Sequence, residues 1–197
     1  MASQSQHDLF GAPAPQLPEG LVYERDFLEA GEEMELLAVM QALPFAPMKY
    51  QNYIALREVV SYGGKYDFTR RRLDEADPMP GWLQPLREKA ARWLGVEPDE
   101  FTQALVSQYK PGTPLGWHRD VPDFEDIVGI SLLNEALMRF RRYPPVEPKK
   151  AGVIKLVLEP RSAYALRGAA RWGWQHSVAP TRQLRYSITF RTSRRLV

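Results

Sequence analysis

The stretch RYSITFR, residues 185–191, alternates polar and apolar side chains without interruption. Successive side chains of a β-strand point to opposite faces, so Arg185 and Arg191 share one face with Ser187 and Thr189, and the apolar residues between them share the other. The pattern therefore predicts a strand with one face in a core and one face that is polar and carries two cations. An edge strand whose arginines face water is the alternative.

The chain on the N-terminal side of this strand has the same texture back to residue 101. Short runs of alternating or β-branched apolar residues are separated by turn signals such as Pro111-Gly112 and Pro144-Pro145. Such spacing is typical of a sandwich, a jelly roll or a barrel. The predicted strands cover residues 101–109, 127–133, 138–143, 152–159, 162–168 and 175–180.

The N-terminal half predicts two helices. Apolar residues recur at helical spacing over residues 29–43, where Pro44 stops the run, and over residues 82–94, where Gly95 is a good stop. Between them, Gly63-Gly64 marks a turn between two strand-like pieces and predicts a hairpin or lid. The expected fold class is α+β, mainly β, with two helices packed on the β-rich half.

The first 19 residues are rich in Gln, Ser, Ala and Pro and have no apolar period. We expect a disordered tail there and one domain over residues 20–197. Within the tail, QHDLF resembles the peptide by which bacterial replication and repair proteins dock on the sliding clamp, which makes Gln6, Leu9 and Phe10 candidate clamp-binding residues. The alternative is that Leu9 and Phe10 pack back on the domain.

The composition excludes several kinds of chemistry. The 197 residues include no cysteine, which rules out disulfides and thiolate nucleophiles and leaves His, Asp and Glu as the strong metal ligands. No uninterrupted apolar run approaches 18 residues and the first 20 do not resemble a signal peptide, so we expect a cytoplasmic protein without a membrane span. The net charge is only +2, but clusters such as residues 70–72 and 139–142 are rich in arginine and suit phosphate groups as well as a solvated surface.

The segment GWHRD, residues 116–120, carries the candidate metal ligands His118 and Asp120. Residues i and i+2 of a strand face the same side, so both side chains could reach one ion, and His176 is the other histidine outside the tail. Two histidines and one carboxylate form the facial triad of non-haem Fe(II) oxygenases. A tetrahedral zinc site and a merely hydrogen-bonded histidine are the alternatives.

Arg185 and Arg191 add a second feature to this constellation. Six residues at about 3.3 Å each separate their Cα atoms by roughly 20 Å, a gap that two inward-leaning guanidinium groups and a short dicarboxylate could span. The pair therefore favours a short dicarboxylate ligand, and arginines that simply face water are the alternative.

At these residues the chain resembles the AlkB group of Fe(II)- and 2-oxoglutarate-dependent dioxygenases. The resemblance runs from about Leu21 to Thr192 and rests on four segments in family order: SQYKPGTPLGWHRD, FEDIVGISL, EPRSAYALRGAARWGWQHSV and RYSITFR. It implies a double-stranded β-helix, or jelly roll, with N-terminal helices and a hairpin substrate lid. It also implies Fe(II) as cofactor and 2-oxoglutarate and O₂ as co-substrates.

The resemblance assigns roles residue by residue. His118, Asp120 and His176 become the iron ligands. Arg185 would bind the distal carboxylate of 2-oxoglutarate, with help from Ser187 and Tyr109, and Arg191 would lie by the carboxylate that chelates iron. Ser107 stands where many members have an asparagine, and its hydroxyl can donate a single hydrogen bond.

The implied reaction is oxidative demethylation of an N-alkylated base by a monomeric enzyme, with DNA repair as the first expectation. Tyr66 and Phe68 match lid positions over which a target base stacks, and the base must be flipped or single-stranded. Asp123 lies one position beyond the acidic residue of repair members, whose place is taken by Pro122. FEDIVGISL and RWGWQH look more like the tRNA-hydroxylating members, so an RNA substrate, a protein substrate and a non-catalytic nucleic-acid-binding module remain alternatives.

Overall fold

The computed structural model describes residues 17–49, 54–67, 70, 72–74, 76–145 and 152–194. Three α-helices fall in this part of the chain: α1 (Ala30–Met40), α2 (Gln84–Leu94) and α3 (Gly168–Trp172). The strands are β1 (Leu21–Glu24), β2 (Ala46–Lys49), β3 (Ile54–Tyr62), β4 (Lys65–Asp67), β5 (Arg72–Asp74), β6 (Phe101–Tyr109), β7 (Leu115–His118), β8 (Phe124–Leu132), β9 (Ala136–Arg142), β10 (Ile154–Leu158), β11 (Ala163–Leu166), β12 (Trp174–Val178) and β13 (Arg185–Ser193).

Two antiparallel sheets form the body of the molecule. The larger has the strand order β1-β11-β8-β13-β6-β3-β2, and the smaller has the order β10-β9-β12-β7. This confirms the mainly β jelly roll that the sequence predicts. β13 lies in the middle of the larger sheet, hydrogen-bonded to β6 and β8, so the alternative of an edge strand facing water is wrong.

The two faces of β13 enter different environments, as its alternation predicts. Tyr186, Ile188 and Phe190 are at most 2% exposed and belong to the apolar core between the larger sheet and the helices α1 and α2. The opposite face looks toward the smaller sheet, where a second apolar cluster includes Ile127, Phe140 and other residues of both sheets. The polar side chains of β13 therefore lie between the two sheets.

Both predicted helices are present, with adjusted ends. α2 begins after a short 3₁₀ turn at Gly81–Leu83 and ends at Gly95, whose φ of 76° is the left-handed conformation that glycine adopts readily. α1 ends at Met40, three residues before the predicted limit at Leu43. Pro44 disfavours the helical conformation of the residue before it, so the chain leaves the helix early.

The hairpin is present, but Gly63-Gly64 is not its turn. β4 pairs with β5, whereas β3 pairs with β2 and β6 in the larger sheet. Gly63 marks the point where the chain leaves that sheet: its φ is 76°, and a Cβ there would lie 2.1 Å from the Thr102 carbonyl oxygen. Only glycine fits this position without displacing β6.

Several elements have no counterpart in the sequence prediction, among them β1, β2 and α3. The short strand β7 ends at His118, so Asp120 lies two residues beyond it, in the loop before β8, and not on the same strand. In the described ranges, no helix has both the length and the apolar character needed to cross a membrane.

Candidate metal centre and co-substrate pocket

A pocket opens between the two sheets. Polar side chains from the larger sheet meet the three candidate metal ligands there, and apolar side chains close the space around them. Its lining comprises Arg57, Tyr109, Leu115, His118, Asp120, Ile127, Met138, Leu158, Tyr164, His176, Val178, Arg185, Ser187, Thr189 and Arg191. The polar face predicted for residues 185–191 therefore contributes four side chains to one pocket.

The three predicted ligands converge on a common point. His118 and His176 are Cα partners across the β7–β12 pairing, and their ring centroids are 4.2 Å apart. His176 Nε2 lies 3.6 Å from Asp120 Oδ2, and one potential ligand atom from each of the three residues lies within 4.8 Å of the other two. Strands β7 and β12 of the smaller sheet, with the loop that follows β7, thus bring together three groups suited to bind a divalent cation.

The hydrogen bond of His118 fixes which ring nitrogen is available. Its Nδ1 lies 2.9 Å from the Gly116 carbonyl oxygen, which can only accept, so Nδ1 donates and the Nε2 of the neutral ring carries the lone pair. Burial lowers the pKa of His118, and burial, together with the adjacent His118 ring, whose protonation would oppose that of His176, lowers the pKa of His176 to about 3. Both rings are neutral near pH 7, as metal ligation requires.

Asp120 is held as a carboxylate on one oxygen only. Arg191 donates to Oδ1 from Nε at 2.8 Å and from Nη2 at 2.7 Å. The side chain is 5% exposed, and buried Oδ2 has no hydrogen-bond partner among the described residues. Burial alone would raise the pKa of Asp120, but the charge of Arg191, followed by the neighbouring imidazoles of His176 and His118 and by the charge of Arg171, holds it well below its usual range. A charged, unpartnered oxygen aimed at two histidines suits a cation.

Arg171 braces the loop that carries Asp120. It is 2% exposed, and its Nη2 donates to the carbonyl oxygens of Asp120 at 3.2 Å and of Val121 and Phe124 at 2.8 Å. This explains how Asp120 is positioned although it lies outside β7. In the sequence, the feature that pointed to this arginine was its position five residues before His176.

Arg185 lies at the other end of the pocket and is 2% exposed. Its Nε donates to Ser131 Oγ at 3.1 Å, and its guanidinium carbon lies 5.0 Å from the centre of the Tyr109 ring. Its buried Nη1 has no hydrogen-bond partner within the described part of the chain. A guanidinium oriented by a neighbouring strand, with a donor left over in a pocket, fits an anionic ligand such as a carboxylate.

Tyr109 connects Arg185 with Arg57, an arginine of β3 that the sequence prediction missed. The Tyr109 hydroxyl interacts with Arg57 and Ser187, and although burial alone would raise its pKa, Arg57 and Arg185 lower it below the usual value. Arg57 is 8% exposed. Its signal was weak, because the run ALREVV does not show which face of the strand is buried.

Gln103 on β6 extends the hydrogen-bond network away from the pocket. Its Oε1 accepts from Arg191 Nη1 at 2.9 Å, and its Nε2 donates to the Gly64 carbonyl oxygen at 2.9 Å. The amide orientation follows from its partners, because a guanidinium only donates and a carbonyl only accepts. A continuous path therefore joins Asp120, through Arg191 and Gln103, to the residue before β4. The sequence alone carried no sign of this link.

Tyr164 is a further pocket residue that the sequence prediction missed. Burial and, secondarily, the nearby Asp120 charge raise the pKa of its hydroxyl, so it is a neutral phenol near pH 7. Its ring covers Gly129 on the adjacent strand, where an added Cβ would lie 2.3 Å from a ring atom. The alternation of side-chain direction along the strand AYAL, residues 163–166, was the only sequence feature that could have indicated which way Tyr164 points.

The remaining predicted site residues lie elsewhere. Ser107 is 1% exposed and is the Cα partner of Ser187, but the pocket lining does not include it. Tyr66 lies half-buried on β4 and Asp123 lies exposed in the loop before β8; neither belongs to the lining formed by the described residues. Phe68 and the tail residues Gln6, Leu9 and Phe10 fall outside the described residues.

Comparison with curated proteins gives relatives with AlkB-type names. The chain is 28% identical over 176 residues to the Xenopus tropicalis tRNA (carboxymethyluridine(34)-5-O)-methyltransferase alkbh8, covering 85% of this chain and 26% of that protein. It is 28% identical over 200 residues to the Arabidopsis thaliana alkylated DNA repair protein ALKBH8 homolog, covering 90% of this chain and 56% of the relative. The chain thus spans from about a quarter to just over half of these relatives.

Solved structures share the fold. OsALKBH1 superposes with a TM-score of 0.72 at 18% identity, over 91% of this chain and 100% of the other. A Pseudomonas putida prolyl-4-hydroxylase superposes with a TM-score of 0.59 at 15% identity, over 89% and 93%. The family model of the 2OG-Fe(II) oxygenase superfamily matches residues 20–191. Because this model covers residues 20–191, and the pocket combines two histidines, a carboxylate and a buried arginine, the chain belongs to the 2OG-Fe(II) oxygenase superfamily, whose cofactor is Fe(II) and whose co-substrate is 2-oxoglutarate.

Proposed function

We propose that His118, Asp120 and His176 bind the ferrous ion. The observation that carries this assignment is the buried Asp120 Oδ2, which has no hydrogen-bond partner in the described part of the chain and faces two neutral histidines. Three ligands on one side of an ion leave positions open for a co-substrate. A zinc hydrolase would not need the arginine cluster in the same pocket, so iron accounts for more of the observed residues.

Arg185 binds the distal carboxylate of 2-oxoglutarate in this proposal. Its free Nη1 supplies a donor, Ser131 fixes the plane of the guanidinium, and Tyr109 and Ser187 offer hydroxyl groups beside it. Arg57 adds a second cation on the far side of Tyr109. Arg191 acts on the metal side, where its donors hold Asp120 in place.

The bound ion and co-substrate supply the activation of O₂ and the oxidation of a C–H bond. The chain contributes orientation and an enclosed site. Leu115, Met138 and Val178 line the pocket with apolar surface that limits the entry of water, and Arg171 keeps the Asp120 loop in register. These residues restrict oxidation to a carbon that the protein positions.

The substrate that we propose is an N-alkylated base in nucleic acid, with single-stranded or flipped DNA bases first. One relative covering 90% of the chain is named an alkylated DNA repair protein, which supports DNA. RNA is the second candidate, because another relative covering 85% of the chain is named for tRNA modification. In both cases Tyr66, Phe68 and Asp123 are the proposed base contacts.

A product analysis distinguishes these substrates. The enzyme with Fe(II) and 2-oxoglutarate is incubated with methylated single-stranded DNA, methylated duplex DNA and bulk tRNA, and mass spectrometry identifies which loses a methyl group or gains oxygen. Loss of methyl from DNA supports the first candidate, and a change only in tRNA supports the second. No change in any of them, with coupled turnover on a peptide, would direct attention to protein substrates.

A non-catalytic binding module is distinguished by the metal itself. Anaerobic titration of the folded protein with Fe(II) and 2-oxoglutarate should produce a visible charge-transfer band in the native chain and not in His118→Ala. Circular dichroism confirms that the variant is folded. A folded native protein that gives no band would favour the module.

We also propose that the tail peptide around Gln6, Leu9 and Phe10 binds a bacterial-type sliding clamp. The support is its sequence pattern alone. A pull-down of the clamp with the full chain and with a chain lacking residues 1–12 tests it, and equal recovery by both would refute the proposal.

A further inference from the structure

The outward side of the smaller sheet carries a cluster that the pocket does not use. Side chains alternate along its strands, so Met138, Phe140, Trp174 and His176 point to the interior and their neighbours point outward. We call the outward group the outer basic face. It consists of Trp117 on β7, Gln175 on β12, Arg139 and Arg141 on β9, and Lys155 on β10, and the fully buried Ser177 of β12 lies beneath Arg139.

Neighbouring strands hold the two arginines in place. Arg139 Nε donates to Ser177 Oγ at 3.1 Å, and Arg141 Nε donates to Gln175 Oε1 at 2.8 Å. Their guanidinium carbons lie 5.3 Å and 4.5 Å from the centre of the Trp117 ring. Both hydrogen bonds use the Nε atoms, so the Nη atoms of the two guanidinium groups can bind a ligand. Because the guanidinium groups are already ordered, less side-chain entropy is lost when a ligand binds.

Among the described residues, the outer basic face has no acidic counterpart. The four strands of the smaller sheet, LGWH, ALMRFRR, IKLVL and WQHSV, contain no Asp or Glu. Within the described residues, Arg139, Arg141 and Lys155 form no ion pair, whereas Arg25, Arg87, Lys89, Lys110 and Arg167 each have a carboxylate partner. Lys155 is exposed and is the Cα partner of Arg139 on the edge strand β10. The result is a group of three cations, two along β9 and one beside them on β10.

We infer that the outer basic face binds the phosphodiester backbone of single-stranded DNA. Fixed guanidinium forks match phosphate oxygens, and the Trp117 indole beneath them supports their positions. β7 is the edge strand of this sheet, and its Trp117 and His118 point to opposite sides. A strand bound outside would therefore lie across the smaller sheet from the metal centre. The choice of DNA depends on the proposed function, whereas the phosphate chemistry does not.

The test measures binding of an unmethylated, fluorescently labelled single-stranded DNA by anisotropy, over a series of salt concentrations. Reversing both charges in Arg139→Glu/Arg141→Glu should weaken binding at least about ten-fold. Neutralising both arginines in Arg139→Gln/Arg141→Gln should make the slope of the logarithm of the association constant against the logarithm of the salt concentration shallower by about 1.4. Each phosphate contact to a single strand contributes about 0.7 to this slope, and the variant loses two. Arg92→Glu, an exposed position on α2, is the matched control and should change affinity little.

Thermal unfolding establishes that each variant is folded, and the glutamine pair serves if the glutamate pair is not. Unchanged affinity and salt slope in a folded double variant would overturn the inference. Equal weakening by Arg92→Glu would also overturn it, because the effect would then reflect net charge alone. Binding that depends on Arg139 and Arg141 but occurs only with RNA of the same sequence would overturn the choice of DNA.

Failure of this inference is separable from failure of the proposed function. The binding measurement uses unmethylated strands without iron, so it does not depend on turnover. If the native protein demethylates DNA while the double variant binds single-stranded DNA normally, the proposed role of the outer basic face is wrong and the proposed function stands. If the double variant loses binding while no methylated nucleic acid reacts, the face stands and the proposed function is wrong.

Discussion

Arg191 places two guanidinium nitrogens on one oxygen of Asp120, at 2.8 Å and 2.7 Å, and leaves the other oxygen without a hydrogen bond. This one-sided contact keeps the carboxylate charged and oriented while its free oxygen faces the histidines. A structural ion pair would more often use both oxygens of the carboxylate. The arrangement therefore links a residue of the larger sheet to the metal-binding geometry of the smaller one.

Asp120→Asn should abolish metal binding. The amide keeps the shape but lacks the charge, and it leaves Arg191 buried without its anion. We expect Mn(II) affinity, measured by calorimetry as a redox-stable substitute for Fe(II), to fall by more than the roughly 10–100-fold typical of losing an outer partner. Asp123→Asn, an exposed position three residues away, is the control and should bind Mn(II) normally. Similar affinity in both variants would contradict the assigned ligand set.

Arg185→Lys should weaken 2-oxoglutarate binding, because lysine keeps a charge but loses the planar fork that Ser131 orients. Disrupting a buried charged hydrogen bond costs about 2 kcal/mol or more, which is about 30-fold in Kd. Anaerobic titration of the Fe(II) complex through its visible band measures the change. Ser131→Ala is the graded comparison, with a smaller loss expected. A native Kd in the lysine variant would show that the distal carboxylate binds elsewhere.

Gly129→Ala should destabilise the protein, because the new methyl group would lie 2.3 Å from the Tyr164 ring. Overpacking of this kind typically costs about 1–3 kcal/mol. Chemical denaturation gives the change in the free energy of unfolding. Gly81→Ala adds a methyl group where nothing lies within 4 Å and should change stability little. Equal stability of the two variants would indicate that Tyr164 does not cover Gly129.

Gln103→Leu should loosen the base of the hairpin as well as the position of Arg191. The variant removes one of the two donors to the Gly64 carbonyl, which keeps its bond from Ser61 Oγ, and it leaves Arg191 Nη1 without its partner, at a cost of about 1–3 kcal/mol for a buried group left unsatisfied. Hydrogen exchange of residues 61–67 should accelerate, and Mn(II) affinity should fall in the same variant. Thr102→Val changes an exposed neighbour on β6 and provides the control. Faster exchange with unchanged Mn(II) affinity would mean that Gln103 supports the hairpin only.

Lys89→Met should remove a small, pH-dependent part of the stability. Lys89 Nζ lies 2.6 Å from Glu32 Oε2 and joins α2 to α1. Although burial acts in the opposite direction, the Lys89 contact lowers the pKa of Glu32, so this contribution is present above the unfolded-state pKa and is lost as pH falls through the folded-state pKa. Because the pair is partly exposed, we expect less than about 1 kcal/mol at pH 7. Chemical denaturation at pH 7 and pH 3 tests this prediction. The free energies of unfolding of the native and variant proteins should differ at pH 7 and become similar at pH 3.

The local pattern was sufficient to predict most strands after residue 100 and the polar face of β13, but not β1 or β2. Alternation in RYSITFR is a property of consecutive residues, and it correctly separated the side chains that enter the helix-side core from those that enter the pocket. The same reasoning failed for Asp120, because β7 ends at His118. A loop conformation depends on contacts such as those of Arg171, which come from a segment about 50 residues away.

The order of residues predicts the chemical groups: two histidines and a carboxylate as ligands, two arginines on one strand face, no thiols, and a mainly β chain with two helices. Which of these groups meet depends on the fold. Strand order placed His176 opposite His118, left Asp120 Oδ2 free by occupying Oδ1 with Arg191, and brought Arg57, Tyr164 and Gln103 to the same site. The physical reason is that strand alternation is local, whereas a sheet joins residues that are far apart in sequence, and their pairing follows from the packing of the whole chain.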